Sequence, residues 1–272
     1  MTKEKVKLDW SFYTITLLAI LTGYFNQYFI FAITILIHEL GHLVMAFFFK
    51  WELIELKFFA FGGVMKFKGE LNKSNVEDLI ISIGGILMNL ILLIGLLLFQ
   101  NQERSVIAQK FYSDWVWAQT FVILFNLVPL PPLDGSRLLM DFLSFFIPYK
   151  VVLKRIKYFN WALIGAIIFF TFSYDIRQLY LIVSFLSYST IRFNYQIFYL
   201  FQRFLLQKKM YRNVDLPRKT TIIHGDDWEE HLYRGYLNLF QFNHRLHDEL
   251  TWLKLKFGEN DALVIDAQIK TD

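Results

Sequence analysis

Cysteine is absent from all 272 residues. No disulfide can form and no thiolate can bind a metal, so a metal site in this chain must use His and carboxylate ligands. Charge is scarce as well. Only 19% of residues are Asp, Glu, Lys or Arg, while 55% are hydrophobic and the mean hydropathy is +0.37. That balance excludes an ordinary soluble domain and fits a polytopic membrane protein with a modest soluble part. The net charge of +4 is too small to suggest a nucleic-acid partner; its value is in locating the cytoplasmic side. No small-x-small cleavage site follows the opening MTKEKVKLDW. The first apolar run is therefore expected to be an uncleaved membrane helix rather than a signal peptide.

What is present is organised around Phe31 to Phe49, FAITILIHELGHLVMAFFF. The run is apolar almost throughout, yet His38, Glu39 and His42 lie near its middle. Positions four apart share one face of a helix, so His38 and His42 can aim two imidazoles at one small volume, as a zinc ion requires of two ligands. Glu39 lies beside them and is suited to take a proton from a metal-bound water. Gly41 removes a side chain next to this cluster. A pair of hydrogen-bonded core histidines is the bland alternative. The apolar setting argues against it, because a charged group near a bilayer centre costs at least about 2.5–3.5 kcal/mol.

Hydropathy suggests six spans: Trp10 to Tyr24, Tyr28 to Phe49, Leu79 to Phe99, one beginning near Trp115, Ile156 to Phe172, and one from Leu179 fading near Arg192. Between the second and third, Leu56 to Gly69 changes period around Gly62-Gly63. This suggests a membrane-associated β-hairpin whose edge could accept an extended peptide, with a plain connecting loop as the other reading. Gly62 and Gly63 are assigned on this basis to substrate binding. In the third span, Asn89 is expected to hydrogen-bond a neighbouring helix, and Gly84 and Gly85 to permit close helix contact. After Leu200 the chain turns polar. A strand is expected at Thr220 to Ile223 and a helix from Asp227 to about Phe240, making a small α/β tail. The positive-inside rule places both termini, the hairpin and the tail in the cytoplasm: only Arg104, Lys110 and Arg177 fall on the opposite side. The expected fold class is thus an α-helical polytopic membrane protein of about six spans. It has a protease-like domain over residues 1–200 and a cytoplasmic tail over 201–272.

Three of the five prolines fall at 129, 131 and 132, where the fourth span is interrupted. Broken backbone at membrane depth is tolerated where it lines a cavity. Asp134 follows that break and is the favoured third metal ligand. Asp141 is expected to be a solvated or ion-paired helix residue, with Arg137 four positions before it. Asn126 has two readings, holding the substrate or its oxyanion and capping the broken helix.

His38-Glu39-Leu40-Gly41-His42 in a membrane helix, with Asn126-x-x-Pro129-x-Pro131-x-Leu133-Asp134-Gly135 about ninety residues later, resembles the site-2 protease family of intramembrane zinc metalloproteases. Phe61-Gly62-Gly63 with the hairpin, six spans and a tail is similar to its stage IV sporulation protein FB-like branch. The resemblance covers about residues 8 to 200. It implies zinc held by His38, His42 and Asp134, with Glu39 as catalytic base. It also implies a membrane-associated pro-sigma factor as substrate, inhibitory membrane proteins as partners, and a nucleotide-responsive CBS domain in the tail. The chain departs from the family in two places. Ile86 stands where proline is frequent, Ser136 stands where a second glycine is common, and neither touches an expected ligand. A CBS pattern cannot be traced in the tail, and His224, His231, His244 and His247 there are expected to be exposed helix residues. The competing functional class is a non-proteolytic membrane metal transporter or scaffold using the same ligands.

Overall fold

The computed structural model describes residues 6–59, 62–98, 105–211, 216–222, 227–242 and 245–257. Phe61, Ile223, His224 and His244, which figure in the sequence expectations, lie outside them. The chain divides into two compact units. The first comprises Met1–Glu70, Leu79–Pro129 and Leu133–Leu138, and the second Leu71–Asp78, Leu130–Pro132 and Leu139–Asp272.

The first unit opens with a short strand, β1 (Val6–Leu8), then α1 (Trp10–Leu21) and α2 (Phe25–Phe48). Helix α2 ends in a tight turn at Lys50 and Trp51. Lys50 takes a left-handed φ of 56°, Lys50 N–H donates to Phe47 O, and Trp51 N–H donates back to Ala46 O at 2.8 Å. This is a Schellman turn, which satisfies two of the last carbonyls and throws the next residue onto the helix flank. Trp51 is that residue. It is buried with Ala46, Phe67 and Ile81, its ring edge-on to Phe67 at 5.5 Å. The turn thereby fixes the start of β2 (Leu53–Phe59), which pairs antiparallel with β3 (Gly62–Phe67).

The expected hairpin is therefore present, and the loop reading falls. It carries a third strand that spacing did not suggest: β1 lies parallel to β2, giving the order β1-β2-β3. The unit also holds α3 (Asn75–Leu98) from Leu79 onward, α4 (Val106–Asn126), and the first residues of α5 (Asp134–Ser144).

The second unit is built on α6 (Tyr149–Ser173) and α7 (Tyr180–Met210) with the tail. Its core gathers Tyr149, Val152, Phe204, Leu205, Phe240, Trp252 and Leu253. Helix α7 does not fade near Arg192 but runs unbroken to Met210. In the tail, β4 (Arg218–Ile222) pairs parallel with β5 (Leu237–Phe242), β6 (Arg245–Asp248) returns antiparallel, and α8 (Glu249–Lys256) follows.

The helix expected from Asp227 to Phe240 is not formed. A single 3-10 turn, Asp227–His231, gives way to β5. Gly235 sits between them with φ +71° and its α-carbon against Asn75, so that a Cβ would meet Asn75 Cγ at 2.8 Å. A left-handed residue ends a helix. Beyond it, Leu237 to Phe242 forms a strand, not a helix.

Two buried ion clusters tie the second unit together. Lys208 Nζ donates to both oxygens of Glu249 at 2.8 and 2.9 Å. Arg234 reaches Asp78 with one guanidinium nitrogen and Asp141 with another, at 2.5 Å for the latter. Asp141 is ion-paired, but with Arg234 of the tail where Arg137 of its own helix is the expected neighbour, and it is fully buried rather than solvated. Burial works against the Arg234 charge, and the two carboxylates outweigh it, so its pKa is raised.

Among the described residues, three helices are long and apolar enough to cross a membrane: α2, α3 and α6. Helix α1 is apolar but short, and α4 and α7 do not reach that measure. The expectation of six spans is thus matched at three.

Candidate metal centre

Helix α2 carries His38, Glu39 and His42 through its buried face, at 3%, 7% and 6% exposure. Their four-residue spacing brings the two Nε2 atoms to 3.1 Å, with the rings edge-on at 4.8 Å between centroids. The third member comes from the far side of the proline break. Helix α4 stops at Asn126, and the chain turns through 127–133 and restarts as α5 with Asp134 as its first residue. The turn is tight: a Cβ at Gly135 would lie 2.4 Å from Leu127 O and 2.5 Å from Val128 O. It delivers Asp134 Oδ2 to 2.7 Å from His38 Nε2 and 3.1 Å from His42 Nε2. These three donor atoms lie within 4.8 Å of one another, and among the described residues no other group of three or more His, Asp or Glu side chains converges in this way.

A second helix shapes the space around them. Gly41 of α2 packs on the backbone of Gly84, where a Cβ would lie 2.3 Å from Gly84 O. Gly85 faces the ligand atoms themselves: a Cβ there would lie 2.5 Å from His42 Nε2 and 2.7 Å from His38 Nε2. The missing methyl group leaves the volume in front of both nitrogens open. Helix α3 also supplies the carbonyl of Ile81, which accepts a hydrogen bond from His42 Nδ1 at 2.7 Å. A carbonyl can only accept, so in the neutral ring Nδ1 holds the proton and Nε2 presents its lone pair inward. Without a metal, His38 Nε2–H can donate to Asp134 Oδ2; with the proton moved to Nδ1, His38 Nε2, His42 Nε2 and the carboxylate oxygen present three lone pairs to one volume. This donor set fits zinc, which takes imidazole nitrogen and carboxylate oxygen and leaves its fourth position open in catalytic sites.

Glu39 is held next to this set by the hairpin. Gly63 N–H donates to Glu39 Oε1 at 2.7 Å. A Cβ at Gly63 would lie 2.8 Å from Glu39 Cδ, so any side chain there would push the carboxylate from its place. At Gly62 the same atom would lie 3.8 Å from Glu39 Oε1, an ordinary contact. Asn126 donates its side-chain N–H to Val122 O at 3.0 Å, one turn back on its own helix, which is the capping reading. Of the sequence-derived residues, the structure therefore brings together His38, His42, Asp134, Glu39 and Gly63. Spacing did not reveal the Ile81 carbonyl or the Gly85 contact with the ligand nitrogens, because neither leaves a mark in one chain's motif pattern. In the tail, His231 lies in the 3-10 turn and His247 in β6 near Trp252.

Residues 27–113 match the family model described as Peptidase family M50. Over 208 residues the chain is 29% identical to "Stage IV sporulation protein FB" of Bacillus subtilis (strain 168), covering 75% of this chain and 71% of that protein. It is 37% identical over 79 residues to "Putative zinc metalloprotease YwhC" of the same organism, covering 25% of this chain and 36% of that protein. Among solved structures, the fold is similar to "Site-2 Protease from Methanocaldococcus jannaschii", with a TM-score of 0.53 and 20% identity over 71% of this chain and 93% of that one. Residues 27–113 carry a peptidase family M50 domain, which makes the chain a zinc metalloprotease, and its fold is similar to that of a site-2 protease.

Proposed function

We propose that His38, His42 and Asp134 hold the zinc ion, that Glu39 is the general base, and that the β3 edge presents the substrate. The convergence of three donor atoms from α2 and α5 beside a carboxylate is the observation that carries this reading. A bound zinc supplies Lewis acidity, polarising a peptide carbonyl and making water acidic enough to react near neutral pH. Glu39 takes the proton of the attacking water on Oε2 while Gly63 N–H holds Oε1 in place. It then returns that proton to the leaving nitrogen, so a C–N bond is exchanged for a C–O bond and a free amine.

The sheet order leaves the outer edge of β3 unpaired among the described residues. Because Gly63 of β3 contacts Glu39, a peptide added as a strand along that edge would run past the base. Gly62 and Gly63 would then bind substrate through their backbone, and Asn126 would serve the oxyanion only by leaving its bond to Val122 O.

In the membrane, α1, α4 and α7 would complete six spans with α2, α3 and α6. Support comes from large apolar side chains turned outward on all three: Leu21, Trp117, Leu124, Leu181 and Phe198 are 62–85% exposed. Both termini would then be cytoplasmic, with residues 201–272 a regulatory tail. The similarity to a stage IV sporulation protein supports a membrane-associated pro-sigma factor as substrate.

The test is Glu39→Gln, co-expressed with a tagged pro-sigma factor. The account expects the variant to retain zinc and leave the substrate uncut. Wild-type cleavage by that variant contradicts it.

A further inference from the structure

The two histidines are served differently on their outer nitrogens. His42 Nδ1 has the Ile81 carbonyl at 2.7 Å. His38 Nδ1 is buried and has no hydrogen-bond partner among the described residues. A ligating imidazole needs its proton on the nitrogen away from the metal and an acceptor for that proton, since the acceptor fixes both tautomer and ring orientation.

The helix register indicates where an acceptor lies. Gly85 faces both His42 and His38, and the Ile81 carbonyl, one turn before it, meets His42 alone. As α2 advances by four residues, α3 recedes by four, so the helices run antiparallel in step. One turn further along each helix, Thr34 lies beyond His38 on α2 and Asn89 lies beyond Gly85 on the same face of α3. Helix α4 brings Gln119 to the same level, where its Nε2 donates to Thr34 Oγ1 at 3.5 Å. Thr34, Asn89 and Gln119 all have zero exposure. Neither Asn89 Oδ1 nor Asn89 Nδ2 has a partner among the described residues, and neither does Gln119 Oε1. The sequence expectation that Asn89 bonds a neighbouring helix directly is thus not met. Instead, α2, α3 and α4 carry four buried polar atoms without partners among the described residues: His38 Nδ1 and three amide atoms. Buried polar groups are satisfied by protein or by ordered water, and a buried water makes about three such bonds.

We propose that Asn89 and Gln119 hold an ordered water that accepts the Nδ1 proton of His38, making both amides positioning residues for the metal site. The water accepts from His38 Nδ1–H and donates to Asn89 Oδ1 and Gln119 Oε1. His38 is thereby fixed with Nε2 toward Asp134 and His42, as the Ile81 carbonyl fixes its partner. The proposal rests on the reading of His38 as a ligand.

The test is zinc affinity of the detergent-purified full chain, measured by competition with a chromophoric chelator, beside the melting temperature of the metal-free protein. Asn89→Leu and Gln119→Leu, each separately, are expected to weaken zinc binding about tenfold or more, the scale of lost outer-shell partners. The metal-free protein should still melt cooperatively and close to wild type, because one amide–water contact has been replaced by an apolar group of similar size. Asn89→Ser, which keeps a polar atom and leaves room for water, should stay within about threefold of wild type. If Asn89→Leu does not fold, Gln119→Leu on a different helix carries the test.

Leucine variants that bind zinc within about twofold of wild type would overturn the proposal and make the amides mere helix contacts. His38→Ala separates the two readings. If it keeps wild-type zinc affinity, the ligand assignment itself fails. If it loses zinc while both leucine variants keep it, only the water bridge fails.

Discussion

Gly85→Ala adds one methyl group and puts it where the ligand nitrogens stand. The new Cβ would lie 2.5 Å from His42 Nε2 and 2.7 Å from His38 Nε2, against 3.4–4 Å for ordinary contact, so both rings must retreat, His42 by about 0.9 Å and His38 by about 0.7 Å. His42 cannot do so freely, because its Nδ1 is tied to Ile81 O at 2.7 Å. Nor can α3 back away cheaply, since Gly84 is in backbone contact with Gly41. Metal–ligand distances are tolerated within about 0.2 Å of their ideal values, so a displacement several times larger removes one ligand from the set. Zinc affinity should fall by about two orders of magnitude or more, the scale on which even an outer-shell loss is felt. Overpacking of this kind costs the fold about 1–3 kcal/mol, which leaves room for a folded protein without its metal. The assay is zinc content by elemental analysis after dialysis against a weak chelator, alongside a thermal melt in the same detergent. A folded Gly85→Ala protein holding stoichiometric zinc at wild-type affinity would show that the ion does not lie in front of Gly85.

Further outcomes follow from groups outside the metal site. Arg234→Met strands two buried carboxylates, Asp78 and Asp141, and should cost about 3–5 kcal/mol of stability. The triple variant with Asp78→Asn and Asp141→Asn should recover most of that, and a single variant as stable as wild type in a melt would refute the buried-pair argument. On the hairpin, Glu55 accepts from Lys7 at 2.7 Å and Lys66 at 2.9 Å, which hold its carboxyl down to about 2. A depressed carboxyl stabilises the fold fully above its unfolded pKa and loses that contribution as pH falls. Amide exchange in β1, β2 and β3 should therefore show protection intact at pH 5 and declining as pH approaches 2. A gain in protection over that interval would reverse the sign and exclude the ion pairs as its cause.

The sequence exposed the chemistry more readily than the architecture, for physical reasons visible in particular residues. His38 and His42 sit one helical turn apart, so their convergence is a property of backbone geometry alone. Asp134 was within reach because the prolines at 129, 131 and 132 announce the interruption that turns it inward. The Gly62-Gly63 pair marked the hairpin, whereas β1 has three residues and no pattern to announce its pairing with β2. A helix from Asp227 to Phe240 fails at Gly235, whose left-handed φ ends one. Arg234 meets Asp78 across 156 positions and Asp141 across 93, and no local spacing encodes such pairs. Asn89 was visible as an amide in an apolar helix, yet only the register of α3 on α2 reveals what stands beside it.

The most direct measurement is the zinc content of purified wild-type protein beside Asp134→Ala, at equal chain concentration and after the same dialysis. The account predicts about one zinc per wild-type chain, because a closed three-ligand set with one open position binds a single ion, and near loss of it in the variant. One zinc per chain in a folded Asp134→Ala protein, held as tightly as in wild type, would contradict it.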